Sequence, residues 1–272
     1  MTGEPALLAR LRGAAADEPI VVGHRGDSGA FPENTLPAFA AAVAAGAVMV
    51  EFDVQVTRDG HLVCLHDDSL DRTTDAAVVL GRSGVRVGEV DLRDVARLDA
   101  GSWFAAEHRG TRVPTLAEAL AVVQRGAIAM IEHKSGSAAA VVDVLRAVGV
   151  TDAVIVQSFA WDFVAEVHRL APEVLLGALG EGPLDDDRLA ALPATGAKVV
   201  HWNIEDLRAE DIGRLHDRGY LVCVYTANSD AALVGAAQLG IDAITTNRPG
   251  RLRRLIDAGL ARRPGASFPA VR

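Results

Sequence analysis

Residues 48–68, VMVEFDVQVTRDGHLVCLHDD, read as a strand that turns back on itself and carries polar groups at matched positions. In its first half Val48, Val50, Phe52, Val54 and Val56 alternate with Met49, Glu51, Asp53 and Gln55, a period of two that sends one set to each strand face. One face is wholly apolar. Asp59-Gly60 is a hairpin signal, because both residues tolerate the positive φ that tight hairpin turns require. A two-residue turn places His66 opposite Asp53, and a four-residue loop places it opposite Glu51. In either register the imidazole shares the carboxylates' face.

Working outward, residues 19–22 form a short apolar strand that ends in Gly23-His24-Arg25-Gly26, with glycine on both sides of two basic residues. Pro32-Glu33-Asn34-Thr35 follows, with Asn34 or Thr35 as the cap of a helix over 36–45. Residues 67–112 carry no long periodic element apart from a helix near 92–98, and they read as a loop insertion. Thr115 then caps a helix over 116–124, and a strand follows at 127–134. Further strands are expected at 153–157, 174–178, 198–201, 220–225 and 243–246, with helices at 161–170, 186–192, 209–218, 231–239 and 250–258.

Without the hairpin's return arm this makes eight strands, which fits the α/β class as a closed parallel (β/α)8 TIM barrel with an insertion in the loop after the second strand. The expected organisation is a helical lead-in over 1–17, one barrel domain over 18–260 containing the 67–112 insertion, and a flexible tail over 261–272. A doubly wound open sheet is disfavoured, since no Gly-rich dinucleotide fingerprint follows the first strand.

Composition narrows the function. The chain has 272 residues, is 50% hydrophobic and carries a formal net charge of -9, enough to bury a large core and of the wrong sign for nucleic acid or anionic membrane surfaces. Cys64 and Cys223 sit in apolar strand-like runs, as buried thiols in a reducing compartment do. The N-terminal stretch lacks an apolar signal core, and the longest apolar run, broken by Gly46, is too short to span a bilayer. The expectation is a cytoplasmic protein with no integral membrane association. A homo-oligomer is compatible with the sequence, which carries no signature of one.

The chemistry gathers at three strand ends: His24-Arg25 on the first, Glu51 and Asp53 on the second, Glu132 and Lys134 on the third. Glu132 and Lys134 share a face, while His133 points the other way. Converging carboxylates repel one another unless a cation lies between them, and all-oxygen ligation suits Mg2+ or Ca2+ better than Zn2+. Glu33 and Asn34 either order the first loop around His24 or touch substrate. At the end of the sixth strand His201-Trp202 either contacts substrate or packs as an aromatic rim.

The motifs HRGDSGAFPENTLPAF (24–39), VEFDVQVTRDGHLVCLHDDSLDRTT (50–74), IEHK (131–134) and VQSF (156–159) resemble the signatures of the glycerophosphodiester phosphodiesterase family. The resemblance spans nearly all of 21–249 and implies a (β/α)8 barrel with a loop insertion. It implies hydrolysis of glycerophosphodiesters to sn-glycerol 3-phosphate and an alcohol with a divalent metal, through a cyclic phosphate that water opens. On matching residues, Glu51, Asp53 and Glu132 become metal ligands, His24 and His66 the general acid/base pair, and Arg25 and Lys134 phosphate contacts, with Glu33, Asn34 and Trp202 in supporting positions. Departures from the family pattern are Val48, His133, Tyr225-Thr226 in place of Trp-Thr, and Thr246-Asn247 in place of Thr-Asp. The last two bear on the leaving-group pocket. Alternatives are a lysophospholipase D-like or sphingomyelinase D-like enzyme, which the 4% aromatic content disfavours, and a catalytically silent phosphate-binding protein, which has no need of both histidines.

Overall fold

A helix, α1 (Ala6–Ala14), precedes strand β1 (Ile20–His24) in the computed structural model, which describes residues 5–264. Helix α2 (Leu36–Ala44) leads into the hairpin of β2 (Met49–Val56) and β3 (Leu62–Cys64). The insertion holds α3 (Ala76–Val79) and α4 (Leu92–Val95). The alternation resumes with α5 (Leu116–Val123), β4 (Ile128–His133), α6 (Ala138–Val148), β5 (Val154–Ser158) and α7 (Trp161–Leu170). It continues through β6 (Leu175–Gly180), α8 (Asp186–Ala191), β7 (Val199–Asn203) and α9 (Ala209–His216). Strand β8 (Leu221–Tyr225), α10 (Asp230–Gln238), β9 (Ala243–Thr246) and α11 (Pro249–Asp257) complete it. All strands but β3 are parallel to their neighbours, and β1 pairs with both β2 and β9, which closes the expected eight-stranded barrel.

Each strand changes character along its inward-facing side. At the N-terminal end Ile20, Val22, Met49, Ile128, Met130, Ile155, Leu175, Val199, Leu221, Cys223 and Ala243 form one apolar cluster, sealed from below by Leu7, Leu8 and Leu11 of α1. Two residues further along the same faces come His24, Glu51, Glu132, Gln157, His201, Tyr225 and Thr245. The outward faces, including Val50, Phe52 and Val54 of β2, pack with Phe39, Leu116 and Leu120 under the helices. Apolar bottom and polar mouth therefore follow from one period of two.

Three expectations are corrected. The hairpin register pairs Val54 with Cys64 and Val56 with Leu62, and the Thr57 amide donates to His61 O at 2.8 Å. Asp59-Gly60 thus lies in a three-residue loop, Arg58-Asp59-Gly60, with Gly60 at φ +86°. Leu65 rather than His66 donates its amide to Asp53 O, at 3.2 Å. His66 reaches the carboxylates by leaving the strand after Cys64, where alternation no longer governs it. Helix α6, capped by Ser137 and ended by Gly149 at φ +79°, is not among the helices expected from the sequence. The helix expected over 92–98 stops at Val95.

The insertion has a small core of its own, in which Leu70, Ala76, Val85, Val87, Val95 and Leu98 pack on Val63 and Leu65. Of the segment read as a flexible tail, Ala261 is buried and Arg263 pairs with Asp242 at 2.8 Å, while residues 265–272 lie outside the described residues.

Candidate active site

The loop after β1 is shaped by backbone that only small or special residues adopt. Gly26 has φ +92°, and a Cβ there would lie 2.6 Å from the Ala38 carbonyl carbon, so the loop lies directly on α2. Arg25, at φ +53°, turns its amide onto Glu51 Oε2 at 3.0 Å. Its guanidinium meets Glu33 Oε1 at 2.8 Å and Asp53 Oδ2 at 3.2 Å. Thr35, not Asn34, caps α2. Asn34 is thereby free to adopt φ +57° and hold Asp53 from both sides, its Nδ2 donating to Oδ2 at 2.9 Å and its Oδ1 accepting the Asp53 amide at 3.1 Å.

Glu51, Asp53 and Glu132 present carboxylate oxygens that all lie within 4.8 Å of one another, and all three residues are buried. Strand register explains it, since Asp53 pairs with Glu132 across β2 and β4. Burial first, then the charges of Asp53 and Glu132, push Glu51 well above the usual carboxylate range. Glu132 is pushed up to about 7 by burial and then by Asp53. Burial opposes ionisation of Asp53 too, but Lys134 and Arg25 outweigh it and hold that carboxyl low. Lys134 Nζ lies 3.2 Å from Asp53 Oδ1 and also hydrogen-bonds Glu132. Glu51 Oε1 is buried with no hydrogen-bond partner. An orphaned buried oxygen within an all-oxygen donor set fits a hard divalent cation.

Two histidines flank the triad. His24 Nδ1 lies 2.6 Å from Asn247 Oδ1, and burial followed by the Arg25 charge lowers its pKa to about 4. An amide oxygen can only accept, so Nδ1 carries the proton and Nε2 keeps its lone pair. His66 Nδ1 lies 2.6 Å from Asp67 Oδ1. Asp67 is itself held by Arg72 Nε at 2.6 Å, and Arg72 also grips Glu33 at 2.8 Å. Glu33 therefore ties the first loop to the insertion.

A cavity of ≈ 470 Å³ at the barrel mouth brings together His24, Arg25, Glu51, His66, Glu132 and Lys134, with Asp53 buried to 1% exposure alongside Glu51. Its remaining wall is Phe159, Glu181, His201, Tyr225 and Thr226. A second cavity of ≈ 550 Å³ lies at the opposite end beside Leu8 and Arg12, and none of the candidate groups lines it.

Trp202 is not brought to the site. Its ring is fully buried in the outer layer, where Nε1 donates to Gly182 O at 2.8 Å. The inward position belongs to His201, whose Nδ1 lies 2.9 Å from Gln157 Oε1 and Nε2 2.9 Å from Thr245 Oγ1. Burial, then His24, lowers the His201 pKa to about 3. His133 stacks on Phe163 with ring centroids 3.5 Å apart, outside the cavity as its parity requires. Phe159 and Glu181 were not among the expected site residues, and Asn247, expected only to bear on the leaving-group pocket, lies instead against His24. Each lies one residue past a strand's C-terminal end, the position at which barrel loops begin to contribute.

Comparison with known proteins identifies the family. The profile of the "Glycerophosphoryl diester phosphodiesterase family" matches residues 24–251. The chain is 30% identical over 247 residues to a glycerophosphodiester phosphodiesterase of Caldanaerobacter subterraneus, covering 88% of this chain and 98% of that one. It is 31% identical over 256 residues to one of Bacillus subtilis, covering 86% and 85%. Among solved structures, an Oleispira antarctica phosphodiesterase in complex with the product sn-glycerol-3-phosphate superposes with a TM-score of 0.81 at 29% identity, over 88% of this chain and 97% of that one. A glycerophosphodiester phosphodiesterase from Agrobacterium tumefaciens gives 0.75 at 28% identity, over 87% and 99%. With a match running from the first strand to the last helix, the chain belongs to the glycerophosphoryl diester phosphodiesterase family.

Proposed function

We propose that this protein hydrolyses glycerophosphodiesters, the deacylated phospholipids, to sn-glycerol 3-phosphate and an alcohol. The observation that carries the reading is one cavity walled by His24, His66, Arg25, Lys134, Glu51 and Glu132, with Asp53 completing a convergent acidic triad. The product bound to the Oleispira antarctica relative supports the substrate class.

Glu51, Asp53 and Glu132 would hold a divalent cation, Mg2+ or Ca2+, whose charge would offset that developing on the phosphoryl oxygens. Arg25 and Lys134 bind and orient the phosphodiester anion from the rim of the triad. Neutral His24, with its Nε2 lone pair available, takes the proton of the glycerol hydroxyl next to the phosphate as that oxygen bonds to phosphorus. His66 gives its proton to the oxygen of the departing alcohol as the phosphorus–oxygen bond breaks, with Asp67 fixing the ring. Water then opens the cyclic phosphate with the two roles exchanged, which restores both histidines. Two buried free thiols support a reducing, cytoplasmic setting. Among the described residues no helix is long and apolar enough to cross a membrane.

The test is release of glycerol 3-phosphate from glycerophosphocholine by purified protein, before and after EDTA and after re-addition of Mg2+ or Ca2+. Release that EDTA abolishes and either metal restores is expected. No release with any metal overturns the reading.

A further inference from the structure

We infer that the cavity at the N-terminal end of the barrel is a second binding site, for an amphiphilic anion: an apolar chain that ends in a phosphate or carboxylate group. It stands apart from the phosphodiesterase reading, since this cavity shares no lining residue with the catalytic one.

The cavity holds ≈ 550 Å³, within the roughly 300–1,000 Å³ of small-molecule pockets. Four segments meet around it: α1, the turn from α7 to β6, the residues that lead into β7, and the turn from α9 to β8. Its floor is apolar. Leu8, Val174, Leu175 and Leu176 lie here at the base of the barrel, each 4% exposed or less. A chain laid on them would be removed from water on one whole side.

The rim is basic. Arg12 comes from α1, His168 from α7, Lys198 from the approach to β7 and Arg218 from the turn before β8, and among the described residues no Asp or Glu lines the cavity. In a chain of formal net charge -9 this is a local inversion of sign. Cations gathered in this way repel one another until an anion joins them. Two of the basic groups are fixed in place. Arg12 Nη2 donates to the Gly219 carbonyl across the opening, and the His168 ring takes the space a side chain would need at Gly196, where a Cβ would fall 2.6 Å from His168 Cδ2. Arg218 donates from Nη1 to the Arg214 carbonyl at 2.9 Å, and neither Arg218 nor Lys198 forms an ion pair among the described residues. An inorganic anion would leave the leucines wet, and a neutral apolar molecule would leave Lys198 and Arg218 without a counter-charge. An amphiphilic anion answers both, its chain on the floor and its head among the basic groups.

The experiment is calorimetric titration of the purified protein with octyl phosphate and with octanoate, which separate a phosphate head from a carboxylate. At the efficiency usual for small ligands, the tighter of the two should bind with a Kd of about 1 mM or below. Octyl glucoside, which has the chain without the charge, and inorganic phosphate, which has the charge without the chain, should each bind at least tenfold more weakly. An exposed ion pair contributes roughly two- to fivefold, so Lys198→Gln combined with Arg218→Gln should weaken the tighter ligand about tenfold. Lys198→Arg combined with Arg218→Lys keeps both charges and should keep the affinity within about twofold. An affinity unchanged by the paired Gln substitutions is what binding at the catalytic mouth would give, and it overturns the site. Octyl glucoside binding as tightly as the anions, or no binding of either anion up to about 10 mM, overturns it as well.

Discussion

Binding of Mg2+ or Ca2+ by the EDTA-treated protein should release protons, and the number follows from the burial of the triad. Glu132, with its pKa pushed up to about 7, holds about half a proton at pH 7. Glu51, raised well above the carboxylate range by burial and by its acidic neighbours, adds to that count, whereas Asp53, held low by Lys134 and Arg25, is already ionised. A coordinating carboxylate must be deprotonated, so each ion bound near pH 7 displaces about 0.5 to about 1.5 protons. The sign is fixed: raised carboxyl pKa values mean that affinity climbs with pH. From Glu132 alone the rise is about tenfold between about pH 6 and about pH 8. Isothermal titration calorimetry at one pH in two buffers of different ionisation enthalpy reads the proton count directly. Glu132→Gln should lower it by about 0.5 at pH 7 and flatten the pH dependence. Measurable binding with buffer-independent heat and constant affinity would mean that the triad is already ionised when the ion arrives, and would refute the electrostatic argument.

Other groups give separate tests. Asn34→Ala removes both hydrogen bonds to buried Asp53 at a φ of +57°, so urea unfolding should show a loss of about 1–3 kcal/mol; an unchanged midpoint contradicts the role. Arg72→Ala leaves Asp67 without its guanidinium and should lower kcat at least tenfold, a part of the roughly 10²–10⁴ that general acid catalysis supplies in full. Its Tm should move little, because Arg72 is 44% exposed, and an unchanged kcat removes Arg72 from the positioning of His66. His201 has a folded pKa of about 3 against about 6.5 unfolded, so between those values the unfolded chain takes up a proton that the folded chain refuses. The wild type should therefore lose about 1.4 kcal/mol per pH unit relative to His201→Gln as pH falls below about 6.5; parallel curves of stability against pH argue against a neutral buried His201.

Much of the site was legible because charge makes strand parity unambiguous. On β2 and β4 the groups Glu51, Asp53, Glu132 and Lys134 have nowhere to go but the barrel mouth, since the opposite faces pack under helices. The hairpin register was not legible, because Asp59-Gly60 is compatible with several loop lengths and only the Thr57–His61 pairing chooses among them. The final position of His66 survived that error because it lies past the strand. Helix α6 did carry its signal: Ala138, Val141, Val142 and Leu145 recur at helical spacing and are buried, yet the run of alanine and valine around them masks the period. Glu181 and Asn247 carry no periodic signal, for each lies just beyond a strand and becomes a neighbour of the site only when the barrel closes.

The exchange of Trp202 for His201 shows where parity itself runs out. On β7 both Val199 and Val200 are fully buried, one in the barrel interior and the other beneath the helices, so the apolar residues do not say which face points inward. His201 and Trp202 each have an apolar ring with a polar edge, and either suits a mouth or a packed layer. Closure decides. With Gly180 opposite Trp202 on β6, the outward face leaves room for an indole, and a Cβ on Gly180 would fall 2.1 Å from that ring. The inward face instead offers Gln157 and Thr245 as partners for both imidazole nitrogens, which lets a neutral histidine be buried without an unpaired polar atom. The glycine on one strand and the hydrogen-bond partners on two others thus fix the orientation of a fourth. That information lies 22 to 44 residues away in the chain, out of reach of any reading confined to β7.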